Sequence, residues 1–404
     1  MNYKKINLRY FVVLLLGVSG FALILIMNLI FLERVGEYSE LNNIVDEQQE
    51  HNGLYNGLAH KLSKYKIEVY RRKEPKIVAV GSSRVMQIRD YFFEDKFYNF
   101  GGFGLSSNGA MLETLLAKQK PEIVIVALDY FSFCTSKLPL NPTAVLGRAN
   151  RASNAMPRRY LLPQFLMVDG TLGLKTYIRG LTEPNLKLFN GIPRLGISAV
   201  FAEQGFGVDG SYYYFNRVNN MISQPLNLRW SETVSAISSG NSQLPIDCQV
   251  DKGSLKILKK RINQLNAIGI KTVIFSAPLP GAIIDAYAAI ASYSTFFSDW
   301  KKGLREIFPE YYDFHDLRLL GATDCEFLDS IHGGEVAYMR MIREIALGSK
   351  SPLTGRVNVA LLNRLIETNR GATTVAKNSL GQAYQDVLLR ERDYAGACII
   401  QNSK

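Results

Sequence analysis

The sequence predicts an α/β fold: a three-layer α/β/α domain on a parallel sheet, preceded by one N-terminal transmembrane helix. Two observations point to the sheet. Residues 76–80 (KIVAV) and 123–128 (IVIVAL) are short runs rich in β-branched side chains. Helical patterns alternate with such runs, and strands apolar on both faces belong between two helical layers. The third observation concerns the N-terminus, where residues 11–32 carry no charged side chain.

That first run is long enough to cross a bilayer, since ~20 residues at ~1.5 Å each span the hydrocarbon core. It ends in FLER, with no small-residue pair for cleavage, and so reads as an uncleaved anchor rather than a removed signal peptide. Lys4, Lys5 and Arg9 precede it, and Glu33, Glu37 and Glu40 lead the downstream flank. Basic flanks stay in the cytoplasm. The N-terminus is therefore expected there, with the rest of the chain in a periplasm or on a cell surface. A hydrophobic content of 47% with 21% charged residues excludes a disordered chain. The net charge of +11 suits anionic partners. With an anchor present, these are phospholipid headgroups or acidic glycans rather than nucleic acid.

Residues 33–72 read as a polar stalk, helical from about residue 55 to 71. The strand at 76–80 opens a domain expected to run from 73 to 346. Residues 106–119 suit a helix, with Ser106 or Ser107 as N-cap and Met111, Leu112, Leu115 and Leu116 on one face. The second strand, 123–128, follows. Residues 135–250, rich in Arg, Gly, Pro and aromatics, read as an inserted set of helices and loops. A helix over 254–268 shows a stripe of Leu255, Leu258, Ile262 and Leu265, with Gly269 just past its end. A strand at 271–276, helical sequence at 281–308, a last core strand at 311–314 and a helix from Glu335 complete the domain. Residues 347–404 read as a helical tail.

The cysteines are Cys134, Cys248, Cys325 and Cys398. None has C-x-x-C spacing, so a zinc site is not expected. An oxidising compartment permits disulfides. Cys248 with Cys325 is one conceivable pair, and buried free thiols are an equal alternative.

Two motifs carry chemistry. GSSR, residues 81–84, follows the first strand, and DSIH, residues 329–332, precedes the last domain helix. A serine hydroxyl is a weak nucleophile until a histidine takes its proton, and a carboxylate must hold that histidine's tautomer. Ser83, His332 and Asp329 supply these three groups. Taken singly, GSS is equally a capped turn and His332 equally a solvated loop residue. The glycines of 98–104 (YNFGGFG) allow close backbone approach, and a helix start behind them offers oxyanion donors, Gly104 among them; alone they read as a flexible loop. Asn99, Asp129 and Arg84 are candidates for touching substrate or supporting the loops. Arg148, Arg151, Arg158 and Arg159 form a basic segment, solvated by default and otherwise suited to an acidic glycan or lipid phosphate. Tyr212 to Tyr214, Trp300 and His315 read as core or loop residues, and His51 and His60 as stalk residues.

In this order the motifs resemble those of the SGNH/GDSL hydrolase superfamily, over roughly residues 70–345. Ser83 matches the G-D-S serine, Gly104 (within 99–104) the oxyanion glycine, and Asp329 with His332 the D-x-x-H block. The stretch VIFSAPLP at 273–280 is similar to that superfamily's penultimate core strand. Ser82 replaces the usual Asp of G-D-S, and Asp129 stands where an oxyanion Asn is usual. The G-x-S-x-G elbow of α/β-hydrolases is absent. G-S-S together with a single N-terminal span looks more like membrane-anchored proteins of cell-envelope polymer modification, similar to those of teichoic acid D-alanylation and alginate O-acetylation. The resemblance implies a periplasmic or extracellular O-acyltransferase for a cell-surface polysaccharide. Ser83 and Gly104 backbone groups would form its oxyanion hole, a multi-span membrane-bound O-acyltransferase would be its donor partner, and it would need no cofactor or metal. An esterase on the same triad, and a non-catalytic assembly or glycan-binding protein, are the other two readings.

Overall fold

The computed structural model describes residues 3–58, 60–135, 160–168, 170, 172–183, 188–189, 192–201, 204–214, 230–376 and 379–380. The basic segment Arg148, Arg151, Arg158 and Arg159, and Cys398, lie outside them. In chain order the main elements begin with α1 (Tyr3–Arg34), α2 (Leu41–His51) and α3 (Leu62–Lys73). Next come β1 (Ile77–Gly81), β2 (Phe97–Gly101), α4 (Leu105–Gln119) and β3 (Ile123–Leu128). Then follow α5 (Leu162–Val168), α6 (Leu174–Thr182), α7 (Lys252–Ala267) and β4 (Lys271–Ser276). The last four are α8 (Gly281–Ala288), α9 (Ala291–Ile307), α10 (Glu335–Leu347) and α11 (Val359–Thr368). They fall into two units, residues 1–62 with 141–205, and residues 63–140 with 206–404.

In the first unit α1 is a helix long and apolar enough to cross a membrane over Leu8–Arg34. Its last turn is not free. Phe31, Leu32 and Val35 are buried with Leu162 and Leu166 of α5, Tyr177 of α6, Leu172 and Ile197. Strand 192–195 pairs parallel with 54–55 and antiparallel with 188–189.

The second unit is α/β with a parallel sheet in the order β2-β1-β3-β4. Every residue of β1, β2 and β3 is buried, so both faces of these strands are covered. The register aligns Gly81 with Gly101 and Leu128 with Ser276. The four carboxyl ends therefore lie along one edge, where sites form in open parallel sheets. α7 lays Leu255, Leu258, Ile262 and Leu265 inward, as its stripe predicts.

Five expectations are corrected. The stalk helix from residue 55 is instead strand 54–55 followed, after the break at Gly57, by α3. α3 buries Tyr65, Lys66, Val69 and Tyr70, with Tyr70 against Tyr98 and Phe100 of β2. The supposed glycine loop begins as β2, an edge strand completed by pairing with β1. Residues 311–314 form no regular strand. Tyr312 makes backbone bonds to Ile274 and Ser276 of β4, and beyond it only one more isolated parallel bridge forms, between Leu279 and Asp316. Cys248 pairs with Cys134, not with Cys325, and Cys325 is itself disulfide-bonded. The Cys134–Cys248 bridge fastens the chain after β3 to the entry of α7, beside the Thr135–Gln249 and Phe133–Asp251 backbone bonds. Residues 347–376 also pack onto the core, where α11 buries Leu361, Leu362, Leu365 and Ile366.

Candidate active site

Beyond Gly81 the chain turns sharply. Ser82 accepts a hydrogen bond from the Arg84 N–H at 3.1 Å and so caps the 3₁₀ turn Ser83–Val85. A hydroxyl thus makes the local bond that an aspartate could make at this position. The turn holds Ser83 at the sheet edge, half-buried.

The DSIH loop closes on itself. Asp329 Oδ1 accepts the N–H groups of Ile331 (2.9 Å) and His332 (2.8 Å), and the Leu328 N–H bonds the His332 carbonyl. Sequence-local bonds therefore place the carboxylate under the imidazole. His332 Nδ1 lies 2.8 Å from both Asp329 oxygens, and Nε2 lies 2.8 Å from Ser83 Oγ. A carboxylate only accepts, so Nδ1 carries the ring proton and Nε2 is left to accept from the serine. The His332 and Asp329 side chains are 12% and 15% exposed, which leaves the relay reachable from solvent.

The other candidates divide by role. Arg84 is buried and points away from Ser83 into the protein. Its Nε donates to the Ile331 carbonyl, Nη1 to Asp129, and Nη2 to the carbonyls of Ala277 and Pro278. It thereby joins the turn after β1, the end of β3, the end of β4 and the DSIH loop. Asp129 is its buried counter-ion, which is a loop-supporting place. Asn99 is wholly buried; its amide donates to the carbonyls of Val85 and Ile88, and its oxygen accepts from the Gly101 N–H. Asn99 braces the turn from below. Gly104 stands immediately before α4, next to Phe103, whose carbonyl accepts the Gly81 N–H.

Sequence reasoning missed several supports. Tyr338 of α10 donates to the Arg84 carbonyl. Arg89 and Glu335 form a fully buried pair, with Tyr91 and the Val375 N–H also on the Glu335 carboxylate. Gly334 admits no side chain, because a Cβ there would sit 2.3 Å from the Thr373 carbonyl oxygen. Tyr214 brings its ring to 6.4 Å from the His332 ring, while Tyr213 is buried under the Arg89 guanidinium. The YYY run held a signal, but nothing local says which tyrosine faces the histidine. A cavity of about 240 Å³ lies behind the DSIH loop, between Ser330, Ile331, Tyr130, Tyr287 and Asn241. His315 lies among Tyr130, Phe297 and Trp300. Burial, with Lys301 and Arg84 nearby, holds its pKa well below the usual histidine range, so it is a neutral core residue.

Lys66 was invisible in a polar stretch. It is buried, donates to the Asn99 carbonyl at 2.8 Å and to the Gly210 carbonyl, and lies over the Phe206 ring. Burial lowers its pKa to about 7, against a smaller opposing pull from Asp209. An unfolded lysine keeps its proton to ~10.4, so between pH 7 and 10 the unfolded chain binds more protons and stability rises with pH. Denaturation midpoints of the full chain in detergent should therefore climb from pH 7 to 9, and Lys66→Met should flatten that climb. An equal slope in both proteins would show that Lys66 is not the group responsible.

Compared with family models, curated proteins and solved structures, the chain matches none.

Proposed function

We propose that the protein is a membrane-anchored, extracytoplasmic O-acyltransferase that modifies a cell-surface polysaccharide through an acyl-serine. One observation carries this reading: the hydrogen-bonded chain from Ser83 Oγ through His332 to Asp329 at the carboxyl edge of the sheet. Ser83 Oγ attacks the carbonyl carbon of the acyl donor as its proton passes to His332 Nε2. Asp329 holds Nδ1–H and stabilises the imidazolium. Backbone N–H groups of Ser83 and Gly104 are the oxyanion donors in this scheme. The donor's leaving group departs with the proton from Nε2. A sugar hydroxyl then attacks the acyl-serine and gives its proton to Nε2; the bond from the acyl carbon to Ser83 Oγ breaks, and Oγ takes that proton back from Nε2. The donor would come from a multi-span O-acyltransferase in the same membrane, as the motif resemblance implies.

The test is covalent trapping. The full chain in detergent should react with a fluorophosphonate, the label should map to the peptide holding Ser83, and His332→Ala should abolish it. A well-folded protein that stays unlabelled would leave the non-catalytic reading. The solvent-reachable relay also supports an esterase, because water can resolve the same acyl-enzyme. Rapid turnover of a model acetyl ester in the absence of any sugar acceptor would select that alternative.

A further inference from the structure

We infer that α5 and α6 form an interfacial collar that enters the phospholipid leaflet in which the C-terminal end of α1 lies. This rests on α1 crossing the membrane and not on any chemistry at Ser83.

Leu8–Arg34 has 27 residues, about 40 Å of helix, against a hydrocarbon core of ~30 Å. Counted from Phe11, where the apolar run begins, ~20 residues fill the core to about Ile30, so the last turn of α1 emerges through the headgroup layer. α5 and α6 are fastened to that emerging turn. Asn28 Nδ2 donates to the Tyr160 carbonyl and to Gln164, and its oxygen accepts from Gln164 and Tyr177. Arg34 donates to the Leu181 carbonyl at the end of α6. Asn28 is thus fully satisfied within one turn of the boundary between acyl chains and headgroups, and the two short helices are held near that depth.

Their outward faces are apolar. On α5, Phe165 and Val168, three apart, are 44% and 88% exposed; on α6, Leu174 and Ile178, four apart, are 64% and 50% exposed. Their inward faces, Leu162, Leu166 and Tyr177, fill the core around Phe31 and Leu32. Each helix is therefore apolar on both sides, although only one side is packed. Lys175 and Arg179 are exposed beside Leu174 and Ile178. Apolar side chains flanked by basic ones, on helices lying beside a membrane exit, are what an interfacial helix presents to acyl chains and phosphates. The four side chains sit on helices bonded to Asn28 and Arg34 of α1, whose own apolar side chains are exposed from Leu8 to Ile30, and this selects lipid as the occupant.

Brominated-lipid quenching tests this on the full chain, reconstituted at one copy per nanodisc of phosphatidylcholine and phosphatidylglycerol. Val168→Trp, Leu174→Trp and Leu16→Trp are compared with the parent, whose Trp230 and Trp300 set the background. Leu16→Trp should lose most of its added emission to lipids brominated deep in the acyl chain, and Val168→Trp and Leu174→Trp to lipids brominated near the headgroup. Quenching of Leu16→Trp alone would overturn the collar while keeping the anchor. An unquenched Leu16→Trp would remove the anchor and the collar together. A membrane-partitioning photolabel on the unsubstituted protein gives a second readout. Label on the peptides holding Phe165 and Ile178 supports the collar, and label confined to α1 opposes it.

Discussion

Ser83→Ala is expected to lower acyl transfer, or ester hydrolysis, by ~10⁴-fold or more, with little change in melting temperature. Oγ is half-buried and its one described partner is His332, so removing it opens no large cavity. His332→Ala should fall equally far, and the double variant no further, because the two groups act as one relay. Asp329→Asn separates orientation from charge. Its remaining oxygen can still accept the Ile331 and His332 N–H groups, so the loop survives. Its amide, however, would face Nδ1 and force the proton onto Nε2, where it blocks transfer from Ser83. The expected loss is again large, on the order of 10⁴-fold. Rates of model-ester turnover and polymer acylation, read beside the melting temperature, check all four variants. Unchanged rates in folded Ser83→Ala would end the enzymatic reading.

What was legible before folding follows the range of the interactions involved. β1, β3 and β4 are short runs rich in β-branched residues, and α7 advertises its buried stripe at helical spacing, so each can be read within ten or so residues. The Asp329–His332 pair is just as local, since three residues and two bonds from backbone N–H groups to the carboxylate bring the groups together. β2 was hidden because its last glycine, Gly101, marks a crowded spot and not a loop: a Cβ would lie 2.6 Å from the Met86 side chain. Residues 311–314 do meet β4, but only as an isolated bridge at Tyr312, and that shortfall is not visible in the run's own composition. Cys134 and Cys248 stand 114 residues apart, and spacing alone cannot choose among partners at that range. Lys66 and the Arg89–Glu335 pair look like ordinary surface charges in sequence, and only burial reveals them. Asn99, Asp129 and Arg84 were recognisable as neighbours of the two motifs, but their supporting place is set by hydrogen bonds that reach up to 247 residues along the chain.

Arg84→Met is the substitution expected to disturb the scaffold most. The guanidinium satisfies three backbone carbonyls and one carboxylate on three different segments. A methionine fills similar volume and satisfies none of them. Asp129, 7% exposed, is then a buried charge without its cation, and breaking such a pair from one side costs ~3–5 kcal/mol. That is a large share of the ~5–15 kcal/mol that typically holds a domain folded. Lysine should not rescue it, since one ammonium cannot reproduce a planar fork aimed at Ile331, Asp129 and the Ala277–Pro278 pair together. Adding Asp129→Asn removes the stranded charge and should recover part of the stability, which a double-mutant cycle by chemical denaturation would show. Trapping of Ser83 should not recover in step. The Ile331 carbonyl, and with it the loop that aims His332, is still untied in the double variant. If trapping and stability return together, Arg84 serves only to neutralise Asp129. If stability returns while trapping stays slow, Arg84 is the residue that sets the distance from hydroxyl to imidazole.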